Sequence, residues 1–153
     1  MIHLVYCDQK AKVLQKLLDG TKTKLIRGAT GRKLPYGRVN VGETLYFVET
    51  DATKTIKAKA TVSSVYFSPP LTHEESKSII LSEQPYLNLT DEQQKRWIGK
   101  KRLSIIEVCN VIKLDESLIY DRKDNMDDWI TVEVLDDILL FTSKPYQSVK
   151  IHD

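Results

Sequence analysis

Six cations and no carboxylate occupy the stretch from Gly20 to Arg38, GTKTKLIRGATGRKLPYGR: Lys22, Lys24, Arg27, Arg32, Lys33 and Arg38. Gly28, Gly31 and Gly37 allow tight or left-handed backbone and close approach to a ligand, and Tyr36 adds an aromatic face. In such a loop, backbone N–H groups can point at phosphate oxygens while Arg side chains grip them in pairs. The chemistry that this composition suits is anion binding. A second basic segment, KRWIGKKR, sets Lys95, Arg96, Lys100, Lys101 and Arg102 around Trp97. The plainer reading makes the first stretch a solvated hairpin and Trp97 a core anchor.

Other chemistries lack a signature. His3, His73 and His152 are far apart and share no spacing with Cys7 or Cys109, so no zinc site is expected, and no cofactor motif is found. Both cysteines fall in or beside expected strands, where a free thiol behaves as a small buried hydrophobe, and a disulfide is not expected.

The elements that must position the basic stretch can be read from spacing. Ile2–Tyr6 reads as a strand. Asp8 then caps a helix over residues 9–19, whose apolar face is Ala11, Leu14 and Leu18 with Val13 and Leu17 beside it, and Gly20 stops it. Lys22 follows the negative end of that helix, which should help hold it charged. Thr23–Arg27 reads as a strand with Thr23, Leu25 and Arg27 on one face, and the glycines beyond should end it. Thr44–Glu49 is a dense β-former run, and Thr55–Tyr66 alternates Ile56, Ala58, Ala60 and Val62 with polar residues. Thr72 with Glu75 and Thr90 with Gln93 are capping boxes opening two helices, the first ended by Pro85 and the second near Gly99. Leu103–Ile112 is apolar almost throughout and reads as a central strand.

Short strands, glycine-rich loops and helices set to one side predict a single domain over residues 1–153. Its architecture is a small mixed α/β barrel of about five to six strands with peripheral helices. Residues 1–112 form the barrel core with a helical insert at 72–99, and 113–153 form an acidic extension that packs back onto the domain. Charge is uneven beneath the net +2: residues 114–153 hold ten acids against Arg122, Lys123, Lys144 and Lys150. The apolar run at the N-terminus is too brief for a signal peptide and no stretch of eighteen apolar residues exists, so a cytoplasmic protein without a membrane partner is expected.

Gly20, Lys22 and Arg27, placed after the first helix, resemble the motif of the ASCH domain, a member of the PUA-like superfamily: Gly, any residue, Lys, two residues, usually an acid, one residue, then Arg. Thr23 is also typical, and VGETLYF and LSIIEV resemble later strands of the family. The resemblance covers residues 2 to about 112. Leu25 departs from it, standing where many members have an acid and where the amidohydrolase branch acting on acetylated cytidine has a Thr nucleophile. The resemblance implies a PUA-like β-barrel that binds RNA or a nucleotide. With the charge map, it selects Lys22, Lys24, Arg27, Arg32, Lys33, Tyr36 and Arg38 as contacts, with Arg96, Lys100 and Lys101 as a second patch. The alternative is a small amidohydrolase with Lys22 in its active site, a role that matches the assisting lysine of that branch. A third reading makes the acidic segment, with Asp121, Asp124, Asp127 and Asp128 around Trp129, a contact for a protein partner. Arg27 has a structural alternative too, as the partner of Glu43 or Glu49.

Overall fold

β-Branched and aromatic residues crowd the runs IHLVYC and TLYFVE, and both are strands. The computed structural model describes residues 1–50, 54–120, 128–135 and 139–142. In chain order the elements are β1 (Ile2–Cys7), α1 (Val13–Asp19), β2 (Lys24–Ala29), β3 (Thr44–Glu49), β4 (Thr55–Phe67), α2 (His73–Leu87), α3 (Asp91–Trp97), β5 (Arg102–Tyr120), β6 (Trp129–Val132) and β7 (Leu139–Thr142). The strands curl into a half-barrel in the order β2-β5-β4-β3-β1-β6, with β7 beside the far end of β5. β1 and β3 are parallel, and the other pairs are antiparallel.

Both faces of the sheet are covered around β2 and the start of β5. Inside the curl, Val13, Leu14 and Leu17 of α1 pack with Leu25, Phe47, Ile106 and Trp129. Outside, Ile80 and Leu87 of α2 and Trp97 of α3 cover Ile26 of β2 with Leu103 and Ile105 of β5. That second layer explains why neighbouring residues Leu25 and Ile26 are both buried.

Several boundaries differ from the sequence reading. α1 begins at Val13 because Asp8 Oδ1 accepts from the Lys10 and Ala11 N–H groups, at 2.9 and 3.4 Å, holding a turn in which Lys12 is left-handed at φ 56°. α2 runs through Pro85 to Leu87: the proline forfeits one donor, but the Asn88 N–H bonds the Gln84 carbonyl at 2.8 Å and the Gln84 side chain grips both polar groups of the Leu89 backbone. β5 passes through residue 112, where the barrel core was expected to end, and stops at Tyr120. The acidic stretch 121–127 lies outside the described residues. Trp129, which the third reading set amid that acidic charge and which begins the part expected to pack back onto the domain, is fully buried in β6 against β1.

Trp129 also anchors a buried polar network. His3 donates from Nε2 to Glu43 Oε1 at 2.8 Å, while its Nδ1 accepts from Trp129 Nε1 at 3.1 Å. The Thr131 hydroxyl lies 3.0 Å from the same Nδ1. Burial lowers the His3 pKa despite the neighbouring carboxylate. Burial works to raise that of Glu43, yet hydrogen bonds from His3, the Asn40 N–H and the Met1 ammonium hold it down at about 2. Both folded pKa values lie below the unfolded ones, so the stability they carry is complete near neutrality and falls with pH. The loss begins through His3 below its ordinary 6.5 and continues through Glu43 below 4.5. Thermal melts from pH 8 to pH 4 should show this decline, and His3→Gln should flatten its first part. An identical drop between pH 7 and 5 in that variant would contradict the assignment.

Candidate nucleic-acid interface

The link between α1 and β2 aims Lys22 inward. Gly20 takes φ 83° at the helix end, the Lys22 N–H bonds the Lys16 carbonyl at 3.1 Å, and Thr23 is tied to Tyr86 and Val108 through its backbone. The Lys22 side chain is left only 3% exposed, with its Nζ donating to the Leu87 carbonyl at the end of α2. No described carboxylate is ion-paired with it. Burial, and then the charge of Arg27, push its pKa down to about 7. The expectation that a helix end would keep Lys22 charged is therefore corrected: desolvation outweighs what a carbonyl and a helix terminus supply.

Arg27 reaches between the two ends of the sheet. It belongs to β2, the first strand in the sheet order, and donates to the Ile26 and Tyr6 carbonyls at 2.8 Å each. Its Nε lies 3.1 Å from Oδ2 of Asp128, the residue before β6 at the other end of the order. That N–H is not aimed at the carboxylate, so the contact is an ion pair without a directed hydrogen bond. The guanidinium also lies over the Trp129 ring, 5.6 Å from its centroid. Of the two acids expected as its partner, Glu43 holds His3 and Glu49 pairs with Lys57.

Two recesses meet at Arg27. The smaller, about 190 Å³, gathers five cationic side chains, Arg27, Lys33, Arg96, Lys100 and Arg102, against one carboxylate, Asp128. The larger, about 380 Å³, shares Arg27, Arg96, Trp97 and Asp128, and adds Lys22, the apolar Val13 and Leu25, and the polar Gln9, Gln93 and Thr50. Gly28 makes the smaller one possible by closing β2 on the segment after α3. A Cβ there would stand 2.9 Å from Lys100 Cβ and 3.1 Å from Leu103 Cδ2.

The remaining sequence candidates divide. Lys24 turns outward to α2, where it pairs with Glu83 at 3.0 Å and lies 4.7 Å from the Tyr86 ring centroid. Arg32, Arg38 and Lys101 are exposed and line neither recess. Tyr36 lines the cationic recess, but its hydroxyl is committed to the Ser68 carbonyl and its ring packs on Phe67. Trp97 is 6% exposed in the core beneath α2 and doubles as a wall of both recesses, with the Arg96 guanidinium 4.6 Å from its ring centroid. Arg102 and Asp128 were not among the chosen site residues. The first arrives through the pairing of Ala29 with Arg102 across β2 and β5, and the second through the approach of β6 to β1, neither of which is written in local sequence. Among the described residues, no cluster of His, Cys, Asp or Glu could hold a metal ion.

No family model and no curated protein matches the chain. Solved structures do. The ASCH protein of Zymomonas mobilis superposes with a TM-score of 0.54 at 12% identity, covering 74% of each chain. Two single-residue mutants of it reach 0.56, at 11% and 9% identity, over 73% and 74% of this chain and 71% of theirs. The chain thus shares the half-barrel fold of the ASCH protein of Zymomonas mobilis, the fold that the sequence resemblance implied.

Proposed function

We propose that the protein binds single-stranded RNA or a nucleotide, with phosphate in the cationic recess. The observation that carries this reading is the convergence of five cations and one carboxylate on a cavity of about 190 Å³. Cationic side chains in a concave, partly desolvated site attract anions more strongly than the same charges spread over a surface. The adjoining recess has the mixed lining that a base or sugar needs: Leu25, Val13 and Trp97 for apolar contact, Gln9, Gln93 and Asp128 for hydrogen bonds.

Fluorescence anisotropy with a short single-stranded RNA, repeated across salt concentrations, tests it. Removing Lys33, Lys100 and Arg102 together by alanine substitution should reduce the log–log salt slope by about 2, since each phosphate contact to a single strand contributes about 0.7. Arg32→Ala with Arg38→Ala, outside both recesses, should change it less. Equal reductions would move the binding face to the exposed loop.

One observation favours the second reading, hydrolysis of a modified nucleoside such as acetylated cytidine: Lys22 is an amine held near neutrality in a recess, a state suited to a general base. The nucleophile is the weak point. Leu25 has no hydroxyl, and burial pushes the Cys7 thiol up to about 12. The hydroxyls lining the recess belong to Thr50 and Tyr6. Deacetylation of acetylated cytidine lost in both Lys22→Ala and Thr50→Ala would establish hydrolysis; the binding reading expects no turnover above the rate without protein.

A further inference from the structure

Lys22 has a chemistry that phosphate binding leaves unused. The residue is buried, is part of the wall of the larger recess and lies close enough to Arg27 to feel that charge. A lysine that is desolvated beside another cation spends much of its time as the free amine near neutral pH, and a free amine adds to carbonyl carbon. The cationic recess opens next to it, sharing the Arg27 wall. A molecule that spans the two recesses would place an anion in one and a reacting group at Lys22 in the other.

We propose that Lys22 captures a phosphate-bearing aldehyde as a reversible imine while the cationic recess holds the phosphate, an inference that rests on the phosphate-binding reading above. The neutral Nζ donates its electron pair to the aldehyde carbon, forming the C–N bond as the carbonyl π pair moves to oxygen. That oxygen takes a proton and Nζ loses one, giving a carbinolamine. Protonation of its hydroxyl then lets it leave as water while Nζ gives up its remaining proton and the C=N bond forms. Hydrolysis reverses each step, and no oxidant or reductant is consumed. Such a group occurs in free sugar phosphates and at abasic positions of nucleic acid, and both place an aldehyde a few bonds from a phosphate.

Reductive trapping separates these cases. The whole protein is incubated with sodium cyanoborohydride and, in parallel, with glyceraldehyde 3-phosphate, with a single-stranded oligonucleotide holding one abasic site, or with unphosphorylated glyceraldehyde. Adducts are then mapped by peptide mass spectrometry. Expected is an adduct concentrated on Lys22 rather than on exposed lysines such as Lys77 and Lys101, formed at least roughly tenfold faster from one phosphorylated aldehyde than from glyceraldehyde, the factor that about 1.4 kcal/mol of phosphate recognition provides. Inorganic phosphate should slow it, and Lys22→Met should remove it. Whichever phosphorylated probe labels Lys22 faster identifies the source. Adducts spread evenly over surface lysines, or no preference for a phosphorylated aldehyde at Lys22, would overturn the proposal. Because the mapping is done on the unaltered chain, its outcome does not depend on a variant folding. RNA binding retained without Lys22 labelling would remove only the imine chemistry, whereas RNA binding and a salt slope unchanged by the loss of Lys33, Lys100 and Arg102 would remove the phosphate reading itself.

Discussion

Lys22→Met should make the protein more stable at pH 7, on the order of 3 kcal/mol, and raise its Tm by roughly 6–12 °C. The folded pKa of about 7 lies well below the usual 10.5 of a lysine, because the amine is 3% exposed and shares its surroundings with Arg27. Folding must therefore strip a proton from Lys22 at neutral pH or bury it charged, and either route costs free energy that methionine avoids. Losing the bond to the Leu87 carbonyl offsets about 1 kcal/mol of the gain. The sign with pH is also fixed. Between about 7 and 10.5 the unfolded chain holds more protons at this site than the folded one, so wild-type stability rises through that window and the advantage of the variant shrinks. A variant that is less stable than wild type at pH 7, with the same pH profile, would show that Lys22 is a structural tie rather than a strained amine. A buried lysine retained at such a cost is the pattern expected of a functional group.

Arg27→Ala should act in the opposite direction, costing about 2–4 kcal/mol, chiefly because the Ile26 and Tyr6 carbonyls lose a charged donor, while the pair with the half-exposed Asp128 adds little. The side chain satisfies two backbone carbonyls, neutralises Asp128 and covers the Trp129 ring. Its loss leaves Asp128 facing the recess and the two ends of the strand order without their cross-tie. Arg27→Lys should recover less than half of the stability, since an ammonium on a flexible stem lacks the fixed fork that reaches both carbonyls at once. Denaturant unfolding of the three proteins measures this. A cost within about 0.5 kcal/mol, the scale of ordinary surface substitutions, would mean that the sheet ends are held elsewhere.

The contrast between these two residues shows what local sequence could and could not disclose. Arg27, Lys22 and Gly20 were visible as a motif, and alternation alone placed Arg27 on the same face as Leu25, where the structure has it. The capping boxes at Thr72 and Thr90 and the run Thr44–Glu49 were also legible, because each depends on residues within a turn or a strand of one another. Burial of Lys22 was not, since it is produced by α2, whose Leu87 is sixty-five positions away. Charge counting treated all six cations of the basic stretch alike. Pairing of β2 with β5 divided them, sending Lys24 to Glu83 on the outer face and Arg27 to the inner one. Lys33 reached the recess while Arg32 and Arg38 stayed outside it. Asp128 was read only as part of an acidic contact for a protein partner, for the same reason: its neighbours in sequence include acids, but its neighbours in space are Arg27 and Arg96.

The central claim, that cations from β2, the loop after it, α3 and the start of β5 form one phosphate site, is tested most directly by a crystal structure with a short single-stranded RNA bound. A phosphate seated among Arg27, Lys100 and Arg102, with the adjoining nucleoside toward Lys22 and Trp97, is the predicted result. A strand lying along Arg32, Arg38 and Lys101, with both recesses empty of it, would contradict the account.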